Sequence, residues 1–334
     1  MNPPLKIRAA KVRKNAFVMA ECITAIVNVK VFSYICTLKF KIPMKKYPKE
    51  TDYFLDMDAE FAEEENARYV LMEVPYDGTS TFVKGADQGP RAIIEASDSL
   101  ELYDVAYGIE AYQSGIYTDK PTLDFSTPEK MVESVYERAK YFMSRGKMLG
   151  LLGGEHSVSA GAIRAAKEKY GELSVLQIDA HADLRDEYHG SPYNHACVMR
   201  RAQEMGANVV QVGIRNVCAE EKCHIVAENT FYAHQIATQN DSWMLRACDQ
   251  LTDNVYLTID LDGLDPSILP ATGTPLPGGL GWYQLLRFLD IIAQQKNIVA
   301  FDVVELCPQP ENVVSDVLAA TLVYKIITML EAKR

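Results

Sequence analysis

The sequence predicts an α/β fold of three layers, with helices on both faces of a mainly parallel central sheet. From Arg68 onward, apolar runs of strand length alternate with segments of helical period, the signature of repeated β-α units. Histidine and acid clusters directly follow three of those runs, where open parallel sheets bind their ligands. The 334 residues, 48% hydrophobic and 24% charged, suit one large domain and exclude collagen-like, low-complexity and largely disordered chains.

Taken in order, residues 1–43 hold eight Lys/Arg against the single acid Glu21, a net +7 that leaves -18 on the remainder. This stretch reads as a basic extension, either poorly ordered or outside a native protein that starts at Met44, with a targeting segment as the other reading. Its apolar run, 16–29, is interrupted by Glu21 and is too short to span a membrane. Residues 44–334 read as a single domain. Strands are expected at 69–74, 148–152, 173–178, 209–212, 255–259 and 298–304. One helix is well signposted, with Thr127 as N-cap, Pro128 at N1 and Glu129 in the first turn, and another closes the chain over 313–330. No internal repeat and no Pro/Ser-rich linker divides residues 68–334.

A net charge of -11 disfavours nucleic acid as a partner, because phosphate-backbone affinity rests on clustered cations. Seven scattered cysteines, an odd number, read as reduced thiols and a cytoplasmic setting. Cys218 and Cys223, followed by His224, lack the second ligand pair of a structural zinc site and read as packing.

The chemistry sits in three strand-end clusters: Gly153-Gly154-Glu155-His156-Ser157, Asp179-Ala180-His181-Ala182-Asp183 and Asp260-Leu261-Asp262. Side chains on extended backbone repeat with period two, so Asp179, His181 and Asp183 share a direction, as do Asp260 and Asp262. Four convergent carboxylates raise one another's pKa unless cations neutralise them. Two divalent ions would do so, and six ligands suffice for two ions if two carboxylates bridge. Oxygen-rich ligation with two imidazoles and no thiolate favours Mn²⁺.

These segments, together with Thr272-Gly273-Thr274-Pro275, Pro277-Gly278-Gly279-Leu280 and Asp302-Val303-Val304-Glu305-Leu306-Cys307-Pro308, resemble the ureohydrolase family of arginase, agmatinase and their relatives. The similarity runs over about residues 65–330, with every piece in family order, and implies the arginase-like form of the three-layer fold. It implies one Mn²⁺ held by His156, Asp179, Asp183 and Asp260, and a second held by His181, Asp179, Asp260 and Asp262. Glu305 matches the family glutamate that receives the guanidinium, a forked cation suited to bidentate pairing with a carboxylate.

The implied reaction uses a water whose pKa the ions lower, so that hydroxide attacks the guanidinium carbon. Asp183 can relay the nucleophile's proton, and a mouth histidine can protonate the leaving amine. His195 is preferred as that shuttle because Tyr193-Asn194-His195-Ala196 resembles the family's loop, and His189 is the alternative. Glu187 and Asn194, on the same loop, are candidate substrate contacts. Acids in Leu184-Arg185-Asp186-Glu187-Tyr188 disfavour an amino-acid carboxylate, so the expected substrate is a small cationic guanidine, agmatine, cleaved to urea and putrescine. Other readings are a ureohydrolase for guanidinobutyrate, aminopropylagmatine, guanidine, arginine or formimidoylglutamate, and a family member without activity. A two-metal phosphoesterase would want phosphate-clamping cations, whereas the loop after Asp183 is mostly acidic. The resemblance further implies a homo-oligomer, trimer or hexamer.

Overall fold

The computed structural model describes Tyr47 and residues 51–334. The expected extension 1–43 and its boundary lie outside the described residues.

Eight strands form one sheet: β1 (Tyr69–Val74), β2 (Ile116–Asp119), β3 (Met148–Gly153), β4 (Ser174–Ile178), β5 (Asn208–Ile214), β6 (Thr230–Tyr232), β7 (Asn254–Asp260) and β8 (Asn297–Val304). Their order is β2-β1-β3-β8-β7-β4-β5-β6, and every neighbouring pair is parallel. β1, β4 and β7 are buried along nearly their whole length, which explains why the runs read as continuously apolar.

Successive side chains point to opposite faces and build two cores. Leu71, Leu176, Ile178, Leu257, Ile259 and Phe301 pack under the helices α1 (Gly89–Ser97), α2 (Trp282–Gln295) and α3 (Val314–Ala332). Val70, Met72, Leu149, Leu151, Val175 and Tyr256 face the opposite helices, Pro128–Ser144 and Ser159–Tyr170 among them. This is the expected α/β/α sandwich. Helix Pro128–Ser144 starts as expected: Lys130 N donates to Thr127 Oγ1 at 3.3 Å, with Pro128 and Glu129 in its first turn.

The strand order positions the site. The chain lays β4, β5 and β6 at one side, then returns to insert β7 and β8 between β4 and β3. Four adjacent central strands, β3, β8, β7 and β4, therefore carry His156, Glu305, Asp260 and Asp179 respectively at or just beyond their carboxyl ends. The loop after β3 passes close to its neighbours: Gly154 N donates to Val74 O at 2.9 Å, Glu155 N to Tyr76 O at 2.8 Å, and Glu305 N to Gly154 O at 2.8 Å. A Cβ on Gly154 would lie 2.0 Å from Tyr76 O, so this crossing requires glycine.

Candidate functional site

The carboxyl edge of the sheet holds a cavity of about 360 Å³ lined by His156, His181, Asp183, Asp260, Asp262 and Glu305, with His195 at its wall. His156 Nδ1 faces Oδ2 of Asp183, Asp179 and Asp260 at 3.0, 3.2 and 3.4 Å. His181 Nδ1 lies 3.0 Å from Asp262 Oδ2 and 3.6 Å from Asp179 Oδ1. Two groups suited to a cation result, His156/Asp179/Asp260 and Asp179/His181/Asp262, sharing Asp179. The structure thus brings all six sequence-predicted ligands together.

The His156 imidazole tests whether a cation fits. Its Nε2 lies 2.9 Å from Thr258 Oγ1, and that hydroxyl donates to Asp302 Oδ1 at 2.6 Å. The hydroxyl proton being used, Thr258 accepts from Nε2–H, so Nδ1 is the lone-pair nitrogen of the neutral ring; burial opposes charge there, yet without a cation the facing Asp179, Asp183 and Asp260 raise the imidazole well above its ordinary value. Nδ1 is buried without a hydrogen-bond partner and faces three carboxylate oxygens. Three buried carboxylate oxygens facing one imidazole nitrogen call for positive charge among them, which a bound cation would supply.

The titration behaviour reflects that crowding. Burial and the Asp179 charge push Asp183 up to about 7, and burial with the Asp262 and Asp179 charges lifts Asp260 well above the carboxylate range. Burial opposes charge on His181, yet Asp262 and Asp179 push it up to about 12. Burial also opposes charge on Asp179, but His156 and His181 hold its carboxyl below its ordinary value. Burial, then the Glu155 charge, raises Glu305 well above its ordinary value.

His195 is held by a second network. Its backbone N–H donates to Thr79 Oγ1 at 3.0 Å, and its Nδ1 lies 3.2 Å from the same oxygen. Thr79 in turn donates to Glu155 Oε1 at 2.8 Å, and Ser157 N donates to Glu155 Oε2 at 2.8 Å. With the threonine proton on Glu155, His195 Nδ1 donates to Thr79 and its Nε2 is the free basic nitrogen. Burial and the nearby His181 and His156 depress His195 to about 4. His189 is exposed and lines a separate surface pocket.

Two expected substrate contacts do not reach the cavity. Asn194 is buried, its Oδ1 accepting from Ala196 N at 3.1 Å and its Nδ2 donating to Tyr188 O at 3.3 Å, so its side chain shapes the loop. Glu187 is exposed and Asp186 pairs with Arg200 at 2.8 Å. Because Leu184 anchors in the core, this loop turns Arg185 and Tyr188 to the cavity, and Arg185 is paired with Glu220. The acids expected to select the substrate's tail point elsewhere. Glu221, which the sequence reading missed, is the buried carboxylate that lines the cavity outside the clusters. Its Oε1 accepts from Leu184 N at 2.9 Å and its Oε2 from Cys218 N at 2.6 Å.

An all-parallel α/β/α sandwich with paired His/Asp groups at its carboxyl edge defines an enzyme class in which a carboxylate-rich centre is suited to two cations. A family model described as the arginase family matches residues 67–329. The chain is 39% identical over 292 residues to an N(1)-aminopropylagmatine ureohydrolase from Synechocystis sp., covering 84% of this chain and 95% of that one. It is 32% identical to an agmatinase from Pyrococcus horikoshii, covering 82% and 96%. Among solved structures, the agmatine ureohydrolase of Thermoplasma volcanium superposes with a TM-score of 0.75 at 32% identity, covering 82% of this chain and 94% of that chain. The chain belongs to the arginase family and is a ureohydrolase, a hydrolase of guanidino C–N bonds.

No helix among the described residues is long and apolar enough to cross a membrane. Cys197, Cys218, Cys223, Cys248 and Cys307 are free thiols, whereas Cys22 and Cys36 lie outside the described residues.

Proposed function

We propose that this chain is a binuclear manganese hydrolase that cleaves the guanidinium group of agmatine, or of its N(1)-aminopropyl derivative, to urea and the freed amine. The observation that carries the reading is the sharing of Asp179 by two His/Asp groups in one cavity with Glu305. His156, Asp179, Asp183 and Asp260 would hold one ion, and His181, Asp179, Asp260 and Asp262 the other. Bound there, the ions supply the positive charge that makes hydroxide available near neutral pH.

The remaining roles belong to the chain's own groups. Glu305 Oε1 accepts from His156 N at 2.8 Å, which fixes the carboxylate to receive a planar, forked guanidinium. Its Oε2 faces Gly273, where a Cβ would lie 3.7 Å away. In this reading Asp183 takes the nucleophile's proton and His195 Nε2 passes a proton to the leaving amine. The buried Glu221 carboxylate on the cavity wall supports an amine-tailed guanidine. The relatives named aminopropylagmatine ureohydrolase favour the longer tail as the second reading. We further infer a cytoplasmic homo-oligomer, a trimer or hexamer, whose state sedimentation measures.

Asp179→Ala tests the shared ligand. It should lower Mn²⁺ content from two per chain and abolish urea release, as elemental analysis beside a urea assay would register. Two retained Mn²⁺ ions in that variant would refute the assignment.

A further inference from the structure

Beneath the ligands lies a polar feature of the sheet that none of the proposed catalytic roles uses. Gln177 on β4 stands opposite Gln211 on β5 in the strand register, and both are buried. A buried carboxamide costs several kcal/mol unless its donors and acceptors are satisfied. Here Gln211 Nε2 donates to Gln177 Oε1 at 2.6 Å and to Ala182 O at 2.7 Å. Gln177 Nε2 donates to Asp179 Oδ2 at 2.7 Å and to His181 O at 3.3 Å. All four amide hydrogens are used, and three of them go to the turn that carries Asp179, His181 and Asp183. Reversing either amide would set oxygen against oxygen, so the partners fix both orientations.

The consequence falls on Asp179. Its Oδ1 accepts from His181 N at 2.6 Å and its Oδ2 from Gln177, one donor to each oxygen. Each oxygen keeps a further acceptor direction, Oδ2 toward His156 Nδ1 at 3.2 Å and Oδ1 toward His181 Nδ1 at 3.6 Å. The carboxylate torsion of aspartate is intrinsically broad, so a donor on Oδ2 selects the rotation that serves both groups.

We propose that Gln177 is a positioning residue for the paired cation site: its carboxamide, oriented by Gln211, holds Asp179 with one oxygen toward each His/Asp group. This rests on the binuclear reading above. Outer partners of metal ligands typically contribute a factor of about 10–100 in metal affinity, and this one acts on the ligand that both ions share.

The test is Mn²⁺ titration of the full chain by equilibrium dialysis, with electron paramagnetic resonance on the same samples. Wild type should bind two ions and show the exchange-coupled signature of a Mn²⁺ pair. Gln177→Leu should bind one ion roughly 10–100-fold more weakly and show isolated Mn²⁺ instead. Gln211→Leu touches no proposed ligand side chain; it should move both readouts the same way by a smaller factor, and it carries the test if Gln177→Leu does not fold. Unchanged affinity and unchanged coupling in the folded variants would overturn the positioning role while leaving the binuclear reading intact. A wild type that binds fewer than two ions would overturn both.

Discussion

Asp183 and Glu305 both occupy left-handed backbone, at φ 53 and φ 66, a conformation costing a non-glycine residue on the order of 1–3 kcal/mol. Surrounding structure maintains it at two carboxylates that face one cavity, the pattern expected where strain aims a side chain. His195 gives the sharpest kinetic prediction. His195→Ala should retain both ions and slow turnover by roughly 10² to 10⁴, while His189→Ala should leave turnover near wild type; the reverse result would exchange their roles. The depressed His195 also predicts a stability slope. An unfolded imidazole takes up its proton near pH 6.5, whereas the folded one does so at about 4. Between those values the unfolded chain binds the extra proton, so the folded state loses stability as pH falls. The loss amounts to on the order of 3 kcal/mol at the acid end, and urea melts of His195→Asn against wild type should show that part of the slope removed. Although period-two alternation is not what aims them, since Asp262 sits in the 3-10 turn Leu261–Gly263 and Asp183 on left-handed backbone, the ligands are legible in sequence because they cluster at strand ends. Thr79, Thr258 and Asp302 are not, since their partners come from distant segments. The available signal is Asp302 itself, an acid inside the apolar run 298–304, which needs the partners that Thr258 and Tyr256 supply. Glu187 and Asn194 are named for their loop alone, and sequence does not show which loop side chains turn outward: Glu187 is exposed and Asn194 is bonded within the loop.

At the scale of elements, the helix pair Pro128–Ser144 and Ser159–Tyr170 packs through Gly161. A Cβ there would lie 2.5 Å from Val132 O and 2.8 Å from Tyr136 N, both backbone atoms that cannot rotate away. Gly161→Ala should therefore destabilise the fold by about 1–3 kcal/mol although alanine is the better helix former. A urea melt checks this, and an unchanged midpoint would refute the close approach. Capping chemistry made the start of Pro128–Ser144 readable, as Thr127 needs only local partners. β2 and β6 escaped the sequence reading because each is short and lies at a sheet edge, where fewer neighbours demand apolar side chains.

At the scale of the whole molecule, the alternation of strand and helix predicts the three layers, but not the return of β7 and β8 to the sheet centre. That return depends on long-range pairing which no local pattern encodes, and it is what gathers Glu305 and Asp260 between His156 and Asp179. The acidic balance of the chain, -11 overall, favours encounter with a cationic substrate through long-range attraction. The most direct measurement is urea release by the Mn²⁺-loaded protein from agmatine, N(1)-aminopropylagmatine, guanidinobutyrate and arginine under one condition. We expect kcat/KM to be highest for one of the two amine-tailed guanidines, with arginine and guanidinobutyrate disfavoured by the carboxylates that line the cavity. A preference for arginine or guanidinobutyrate, or no urea from any of them with two ions bound, would contradict it.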